Sequence, residues 1–379
     1  MRPMKILIDM GHPAHVHLFK NFIWEMEKRG HEIIVTARDK DVTRKLLEAY
    51  HIPYEPVGTM KSGMINLFME WIYRDYKIFT IAKKFKPDVL MGVLNPAVVH
   101  SARLLGKKSI IFTDSEPEVV KYPIADLITI PFTDVILTLS SVRHDYGKKE
   151  VRFNSYKELA YLHPLWFTPN PSVLDNLGLK DGEDFILLRF VAWGAYHDLD
   201  RQGFNIKAKK NLIENIEPYA RVFISSESEL PDEFERYRIP IRPEQMHDFL
   251  YYAKLLICDS QTMTTEAAVL GTPAIRFNSF VGKQDMGNFL ELEDKYGLIF
   301  NCDSEKTAMG VVANIFKIPN IKNEWLKRRE NLLKEKIDVT AFMIWFIENY
   351  PHSVVDFNAN PDMQYKFGKE CINTLVTDI

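Results

Sequence analysis

The sequence predicts an α/β protein built from two doubly wound parallel-sheet domains with a cleft between them. Three observations carry that expectation. Short apolar runs with no helical stripe, such as Lys5-Ile6-Leu7-Ile8 and Phe185 to Phe190, read as buried parallel strands. Segments with apolar residues at helical spacing alternate with them, the order that winds helices over both faces of a parallel sheet. The alternation breaks once, in the proline-rich stretch Tyr161 to Pro171, and then restarts, so that stretch reads as a hinge. The expected domains are residues 1–163, residues 164–338, and a C-terminal helix and tail over 339–379 that returns to the first domain. In such folds ligands sit at the carboxyl ends of the strands.

Each element has its own signal. After the first strand, His15 to Lys28 places Leu18, Phe22, Ile23 and Met26 on one helical face, and Gly30 closes the helix. His31 to Thr36 is a second strand, Val42 to Tyr50 a helix, Pro53 to Val57 a third strand, and Ile65 to Phe85 a long aromatic-rich helix. Val89 to Val93 and Ser109 to Phe112 are strands around a helix over Ala97 to Leu105. A helical segment around Pro123, Lys121 to Phe132, precedes the strand Val135 to Leu139. Past the hinge, strands are expected at Phe185 to Phe190, Arg221 to Ser225, Leu255 to Cys258, Ala274 to Phe277 and Leu298 to Phe300. Helices are expected at Ala208 to Ile216, Glu244 to Ala253, Thr264 to Leu270, Glu305 to Phe316, Glu324 to Lys336 and Thr340 to Glu348. The tail from Pro351 carries no clear pattern.

With 379 residues, the chain is long enough for two or three domains at roughly 100–200 residues each. Hydrophobic residues are 46% and charged residues 26%, which excludes disordered and fibrous classes. Lys and Arg number 48 against 51 Asp and Glu, a net charge of -3, so a general nucleic-acid binder is not expected. Cys258, Cys302 and Cys371 fit no zinc spacing and point to a reduced compartment. Asp9 interrupts the N-terminal apolar run, so no secretory signal is read, and no apolar run reaches the ~18 residues of a bilayer span. A cytoplasmic protein is the expectation.

Three segments carry chemistry. Gly11-His12-Pro13-Ala14-His15-Val16-His17 follows the first strand, where Gly11 permits a turn and the next helix offers its N–H groups to an anion. His15 there could take a proton from a substrate hydroxyl near neutral pH. A helix-capping turn with incidental histidines is the plainer alternative. Metal binding through His15 and His17 is another, but it needs further ligands, and His100, His144, His163, His197 and His247 form no recognisable set. The second segment, Asp259-Ser260-Gln261-Thr262-Met263-Thr264-Thr265-Glu266, reads as a strand end, a hydroxyl-rich turn and a helix start. Its hydroxyls and backbone N–H groups suit phosphate oxygens, and Glu266 suits ribose hydroxyls. Helix capping alone explains one hydroxyl and the glutamate. The third runs from Arg189 to Asp198, with Trp193, Gly194 for backbone approach to a diphosphate, and Arg189 to neutralise it. No G-x-G-x-x-G follows the first strand, which argues against ordinary dinucleotide dehydrogenases, and Gly106-Lys107-Lys108-Ser109 is not a P-loop.

On these residues the chain resembles the GT-B fold of nucleotide-sugar enzymes, with two Rossmann-like domains. More narrowly, it resembles an uncharacterised family of bacterial and archaeal GT-B-like proteins. The opening Gly11 to His15, the strand end Arg189-Phe190-Val191 and the segment Tyr156-Lys157-Glu158-Leu159-Ala160-Tyr161-Leu162 carry the likeness. The stretch Asp259 to Pro273 is similar in spacing to the UDP-binding loop of UDP-GlcNAc 2-epimerases, where a Ser-Gly-Gly turn precedes a ribose-holding Glu. Here Ser260, Gln261 and Thr262 occupy the turn and Glu266 takes the glutamate's place, without the two glycines. The opening is similar to the glycine-rich turn of the cell-wall GlcNAc transferase acting on lipid-linked muramoyl peptide, with His15 matching its closing His. The segment Gly282 to Asn288 resembles that transferase's sugar-contact segment, which implies sugar contacts for Gln284, Asp285 and Asn288. Such folds hold the base at the position of the turn Ile239 to Met246, which implies Ile241 and Arg242.

The resemblance implies a metal-independent glycosyltransferase using a nucleotide-diphospho sugar, UDP-linked by these likenesses, in surface polysaccharide or glycoconjugate synthesis. It implies no cofactor. His15, or else Asp114, would deprotonate the acceptor, and Gly11, His12, Arg189, Trp193, Gly194 and Ser260 to Glu266, including Met263, would serve the donor. The alternatives are a UDP-sugar 2-epimerase or hydrolase and a non-catalytic binding protein. Where epimerases carry acids, this chain has Asn95, Asp114 and Tyr122; only Asp114 is a carboxylate, with Glu116 close by. A lipid-linked acceptor and peripheral membrane contact are also implied by one segment. Met64, Ile65, Phe68, Trp71, Ile72, Tyr76 and Phe79 are interleaved with Arg74, Lys77, Lys83 and Lys84, unless this is an ordinary long helix packed on the sheet with solvated lysines.

Overall fold

A computed structural model describes residues 2–39, 41–58, 64–119, 123–179, 183–191, 206–227, 229–282 and 284–369. The chain divides into two units: Met1–Trp166 with Lys336–Ile379, and Phe167–Glu335.

In unit 1 the order is β1 (Lys5–Met10), α1 (Pro13–Lys28), β2 (Glu32–Ala37), α2 (Asp41–Ala49), β3 (Glu55–Pro56), α3 (Met64–Phe85), β4 (Val89–Val93), α4 (Pro96–Leu105), β5 (Lys108–Thr113), α5 (Pro123–Thr129), β6 (Val135–Leu139), β7 (Glu150–Phe153) and α6 (Leu159–Leu162). The strands form one parallel sheet in the order β3-β2-β1-β4-β5-β6-β7. The chain winds outward in one direction from β1 and in the other from β4, so the topological switch lies between those two strands, with Asp9 opposite Gly92 in register. Leu7, Leu90 and Ile111 on one face pack with Ile78 and Ala82 of α3 and Val98 and Ala102 of α4.

Unit 2 contains β8 (Phe185–Phe190), α7 (Ile206–Ile216), β9 (Arg221–Ser226), α8 (Met246–Tyr252), β10 (Leu255–Cys258), α9 (Gln261–Leu270), β11 (Ala274–Phe277), α10 (Gly287–Leu290), β12 (Ile299–Cys302), α11 (Glu305–Ile315) and α12 (Ile321–Glu335). Its parallel sheet runs β12-β11-β10-β8-β9, with the switch between β8 and β10. Trp325 of α12 is fully buried and donates through Nε1 to the Leu298 carbonyl at 2.7 Å.

The chain then returns to unit 1 as α13 (Val339–Glu348), α14 (His352–Ala359) and α15 (Lys366–Lys369). Phe342 of α13 packs against Phe153, Phe357 and Phe367, which gives the C-terminal segment its order where its pattern suggested none. Other elements differ from expectation too. Strand β7 was not legible, being four residues long and only half apolar. Helix α1 starts two residues early because Pro13 at its first position has φ pre-set for a helix and no N–H to leave unbonded. Helix α9 starts at Gln261 rather than Thr264, with consequences described below.

Candidate functional site

The carboxyl end of β1 is the centre of the unit 1 cluster. Asp9 is fully buried and its oxygens are occupied by Thr36 Oγ1 at 2.6 Å, Arg74 NH2 at 2.5 Å and Asn95 Nδ2. These partners come from β2, α3 and the cap of α4, so one carboxylate ties the switch point together. The sequence groups Arg74 with the basic residues of a helix that could lie at a bilayer surface. Arg74 points inward instead, because a carboxylate at the sheet's end needs a cation there. The opposite face of α3 does expose Met69, Ile72, Tyr73 and Tyr76.

Gly11 follows. Its φ is not in the left-handed region, and a Cβ placed there would meet only Arg74 NH2 at 3.9 Å, so the glycine is not sterically required. His12 caps α1, accepting the Ala14 N–H at Nδ1. His15 lies in the first turn and accepts the Gly11 N–H at Nδ1, 3.2 Å away. A backbone amide can only donate, so this nitrogen is the unprotonated one and the neutral ring carries its proton on Nε2. Burial first, then His12, Lys157, Arg74 and Arg38, hold the His15 pKa well below 6.5. That tautomer does not match the base expected at His15, because Nε2 is then a hydrogen-bond donor.

Asp114 lies just past β5. Its Oδ2 accepts from Lys157 of the segment before α6, and its Oδ1 makes no hydrogen bond among the described residues. That segment is fixed from below: α6 packs on α1, with Tyr161 stacked on His17 at 5.2 Å and Asn21 Nδ2 bonded to the Ala160 carbonyl at 2.8 Å. Glu116 does not fit an acid–base role. Its carboxylate is buried and latched by Arg143 Nε and NH2 at 3.0 and 2.9 Å and by the Arg143 N–H at 3.2 Å.

In unit 2 the switch point brings together Arg189 and the start of α9. Arg189 donates to Ser225 Oγ at 2.8 Å and Glu227 at 2.5 Å, while its buried Nε has no partner. Asp259 Oδ1 accepts the Val191 N–H at 2.8 Å, linking the ends of β10 and β8. Ser260 caps α9 through Met263 N at 3.3 Å, and Gln261 and Thr262 form its partly exposed first turn. The expected hydroxyl-rich turn is thus mostly helix. Thr264 and Thr265 are buried, and Thr264 Oγ1 donates to the Ser260 carbonyl at 2.6 Å, so neither is placed to meet a phosphate. Met263 is buried too. Burial also pushes the Cys258 thiol up to about 12, which removes it as a nucleophile.

Glu266 is buried on α9 and pairs with His247 Nε2 of α8 at 3.0 Å. Ile241 is half-buried; Arg242 is exposed, pairs with Glu244 at 3.0 Å and donates its backbone N–H to Gln245 Oε1 at 3.1 Å. Gln284 is exposed, whereas Asp285 is buried in an ion pair with Arg276. Arg276 is itself fully buried, lies 3.6 Å over the Phe289 ring and bonds Asn301 at 2.8 Å. Arg276 NH1 and Asn288 Oδ1 remain buried and unbonded. Trp193, Gly194 and Tyr122 lie outside the described residues. Among the described residues no three His, Cys, Asp or Glu side chains gather as a metal site, and no helix is long and apolar enough to cross a membrane.

Both switch points thus collect polar side chains at the carboxyl ends of parallel strands. Over residues 4–296 the sequence matches the family described as protein of unknown function (DUF354). The chain belongs to that family. This DUF354 protein is 23% identical over 283 residues to an uncharacterized protein of Methanocaldococcus jannaschii, covering 72% of this chain and 81% of that one. Its fold is shared with UDP-N-acetylglucosamine 2-epimerases and GT-B glycosyltransferases. The S. aureus MnaA–UDP structure matches with a TM-score of 0.66 at 11% identity, over 92% of this chain and 97% of that one. The spinosyn rhamnosyltransferase SpnG with thymidine diphosphate matches at 0.60 and 11%, over 91% and 100%. At such identities the likeness is one of fold.

Arg38, Glu70 and Asp9 carry much of the unit 1 cluster and were missed as site residues. Asp9 left a signal, a carboxylate inside an otherwise apolar strand, but it was read only as an interruption.

Proposed function

We propose that this protein is a metal-independent glycosyltransferase that takes a nucleotide-diphospho sugar on unit 2 and its acceptor on unit 1. The observation that carries the reading is the unit 2 switch point. There, Arg189 and the N-terminus of α9 meet at the strand ends, and Glu266 of α9 is held by His247 of α8. Arg189 and the unbonded N–H groups of the first turn of α9 balance charge on the departing diphosphate. Glu266 accepts from ribose hydroxyls. Solved relatives of the fold that carry UDP or thymidine diphosphate support this assignment.

In unit 1, Asp114 Oδ1 takes the proton of the acceptor hydroxyl while Lys157 holds Oδ2 and keeps the carboxylate oriented. His15 Nε2–H donates to an oxygen of the acceptor. The exposed α3 face of Met69, Ile72, Tyr73 and Tyr76 suits a lipid-linked acceptor at a bilayer surface.

Epimerisation is the second reading, favoured by the fold shared with UDP-N-acetylglucosamine 2-epimerases. It needs several acids and bases around the sugar, yet Asn95 is bound to Asp9 and Glu116 to Arg143. Incubating the protein with the nucleotide sugar it binds best, alone and then with candidate acceptors, separates the two. Transfer requires an acceptor for rapid nucleotide release; conversion of the sugar without acceptor establishes the epimerase or hydrolase instead.

A further inference from the structure

The charged cluster of unit 1 holds more buried polar atoms than the chain satisfies. Asp9 is complete, with Thr36, Arg74 and Asn95 on its oxygens. Its neighbours are not. Arg74 is 8% exposed, yet its Nε has no hydrogen-bond partner. Arg38 approaches Glu70 Oε1 through Nε at 3.1 Å, but without hydrogen-bond geometry, and that Nε is also buried and unbonded. Glu70 is 7% exposed, and neither of its carboxylate oxygens accepts a hydrogen bond. Gly58 closes over this group: a Cβ there would stand 3.4 Å from Arg74 Cγ and 3.6 Å from Glu70 Oε1.

Folded proteins leave few such atoms, because each unmet buried donor or acceptor keeps the cost of losing its water without a partner to offset it. Here the unmet donors belong to two guanidinium groups, and the unmet acceptor is a carboxylate beside them. Arg74 NH2 stands by Gly11, whose N–H fixes the proton of His15 on Nε2. The donors suit an oxyanion, for which paired arginines are the best protein ligand. The carboxylate suits hydroxyl groups. One small molecule that carries both satisfies the whole cluster.

We propose that unit 1 binds an acidic sugar, with Arg38, Arg74 and His15 Nε2–H on its carboxylate or phosphate and Glu70 on its hydroxyls. This rests on the reading of unit 1 as the acceptor unit and adds the acceptor's chemical class.

The test is calorimetry on the full chain with glucuronate and with glucose 6-phosphate, against glucose and the matching anion, acetate or inorganic phosphate, as the two halves. One acidic sugar should bind at least about tenfold more tightly than either half, and which one tells carboxylate from phosphate. R38Q should weaken that binding about tenfold or more. E70Q should weaken the acidic sugar and leave inorganic phosphate unchanged. If R38Q fails to fold, R38K serves, since it keeps the charge and loses the planar fork. No advantage of either acidic sugar over its halves, or unchanged affinity in R38Q or R38K, overturns the proposal. UDP titrated into the parent and the variants reports on unit 2 alone. A parent that binds the acidic sugar but not UDP defeats the donor assignment; one that binds UDP but no acidic sugar defeats only the acidic-sugar site.

Discussion

The Gly11 N–H donates to His15 Nδ1 over 3.2 Å, and that single bond decides what the histidine can do. It fixes the tautomer, so Nε2 carries the proton and is a donor. On the proposed function His15 then serves as an electrostatic partner for a substrate oxygen, and Asp114 serves as the base.

The first prediction separates those roles. H15A should lower turnover by roughly 10²–10³, the usual loss for one preorganised donor, and H15Q should recover part of it because its amide N–H can donate. D114N should abolish turnover while nucleotide binding stays within about twofold. Equal loss in H15A and H15Q, with D114N still active, would restore His15 as the base.

The second concerns pH. His15 has a folded pKa well below 6.5, so its contribution is present above about 6.5 and is lost as pH falls, where only the unfolded chain takes the proton. Asp338 runs the other way. It is buried at the cap of α13, accepting from Trp166 Nε1 at 2.9 Å, and burial raises its pKa from 3.8 to about 6. Its contribution is present below about 4 and is lost as pH rises through about 6, on the order of 2–3 kcal/mol. Urea melts from pH 4 to 7 should therefore show H15Q gaining stability relative to the parent on acidification, and D338N losing it. Parallel stability–pH curves for parent and variants would contradict both assignments.

The third concerns the Arg276–Asp285 pair. Both residues are buried, so D285N strands a guanidinium and should cost about 3–5 kcal/mol. The double change D285L/R276M should recover most of that loss. A D285N protein that melts like the parent but binds the nucleotide sugar poorly would return Asp285 to the role of a sugar contact.

The fourth tests Glu266. E266Q keeps an acceptor for His247 and should fold, whereas E266A leaves His247 buried without this partner and should lose about 1–3 kcal/mol. The parent should bind UDP more tightly than 2′-deoxy-UDP, and E266Q should erase that difference. An unchanged preference in E266Q would remove the ribose assignment.

The central strands were legible because a strand covered on both faces is a continuous apolar run, as in Leu255 to Cys258 and Val135 to Leu139. The two switch-point segments were legible as well, since a strand end followed by a helix cap has a local signature. What was lost is non-local. Arg74 reaches Asp9 across 65 residues, and nothing near Arg74 in the sequence distinguishes it from a solvated helix cation. Glu116 and Asp285 read as available carboxylates because their arginine partners come from other loops and strands. Thr264 and Thr265 read as turn hydroxyls because the helix begins at its Ser260 cap, four residues before the first of them.

The most direct test of the account is calorimetric titration of the protein with UDP, GDP, CMP and TDP and their common sugars. The account predicts saturable one-to-one binding of at least one nucleotide-diphospho sugar, lost in R189A and weakened in E266Q. Absence of binding by every one of them, in protein that melts cooperatively, would contradict it.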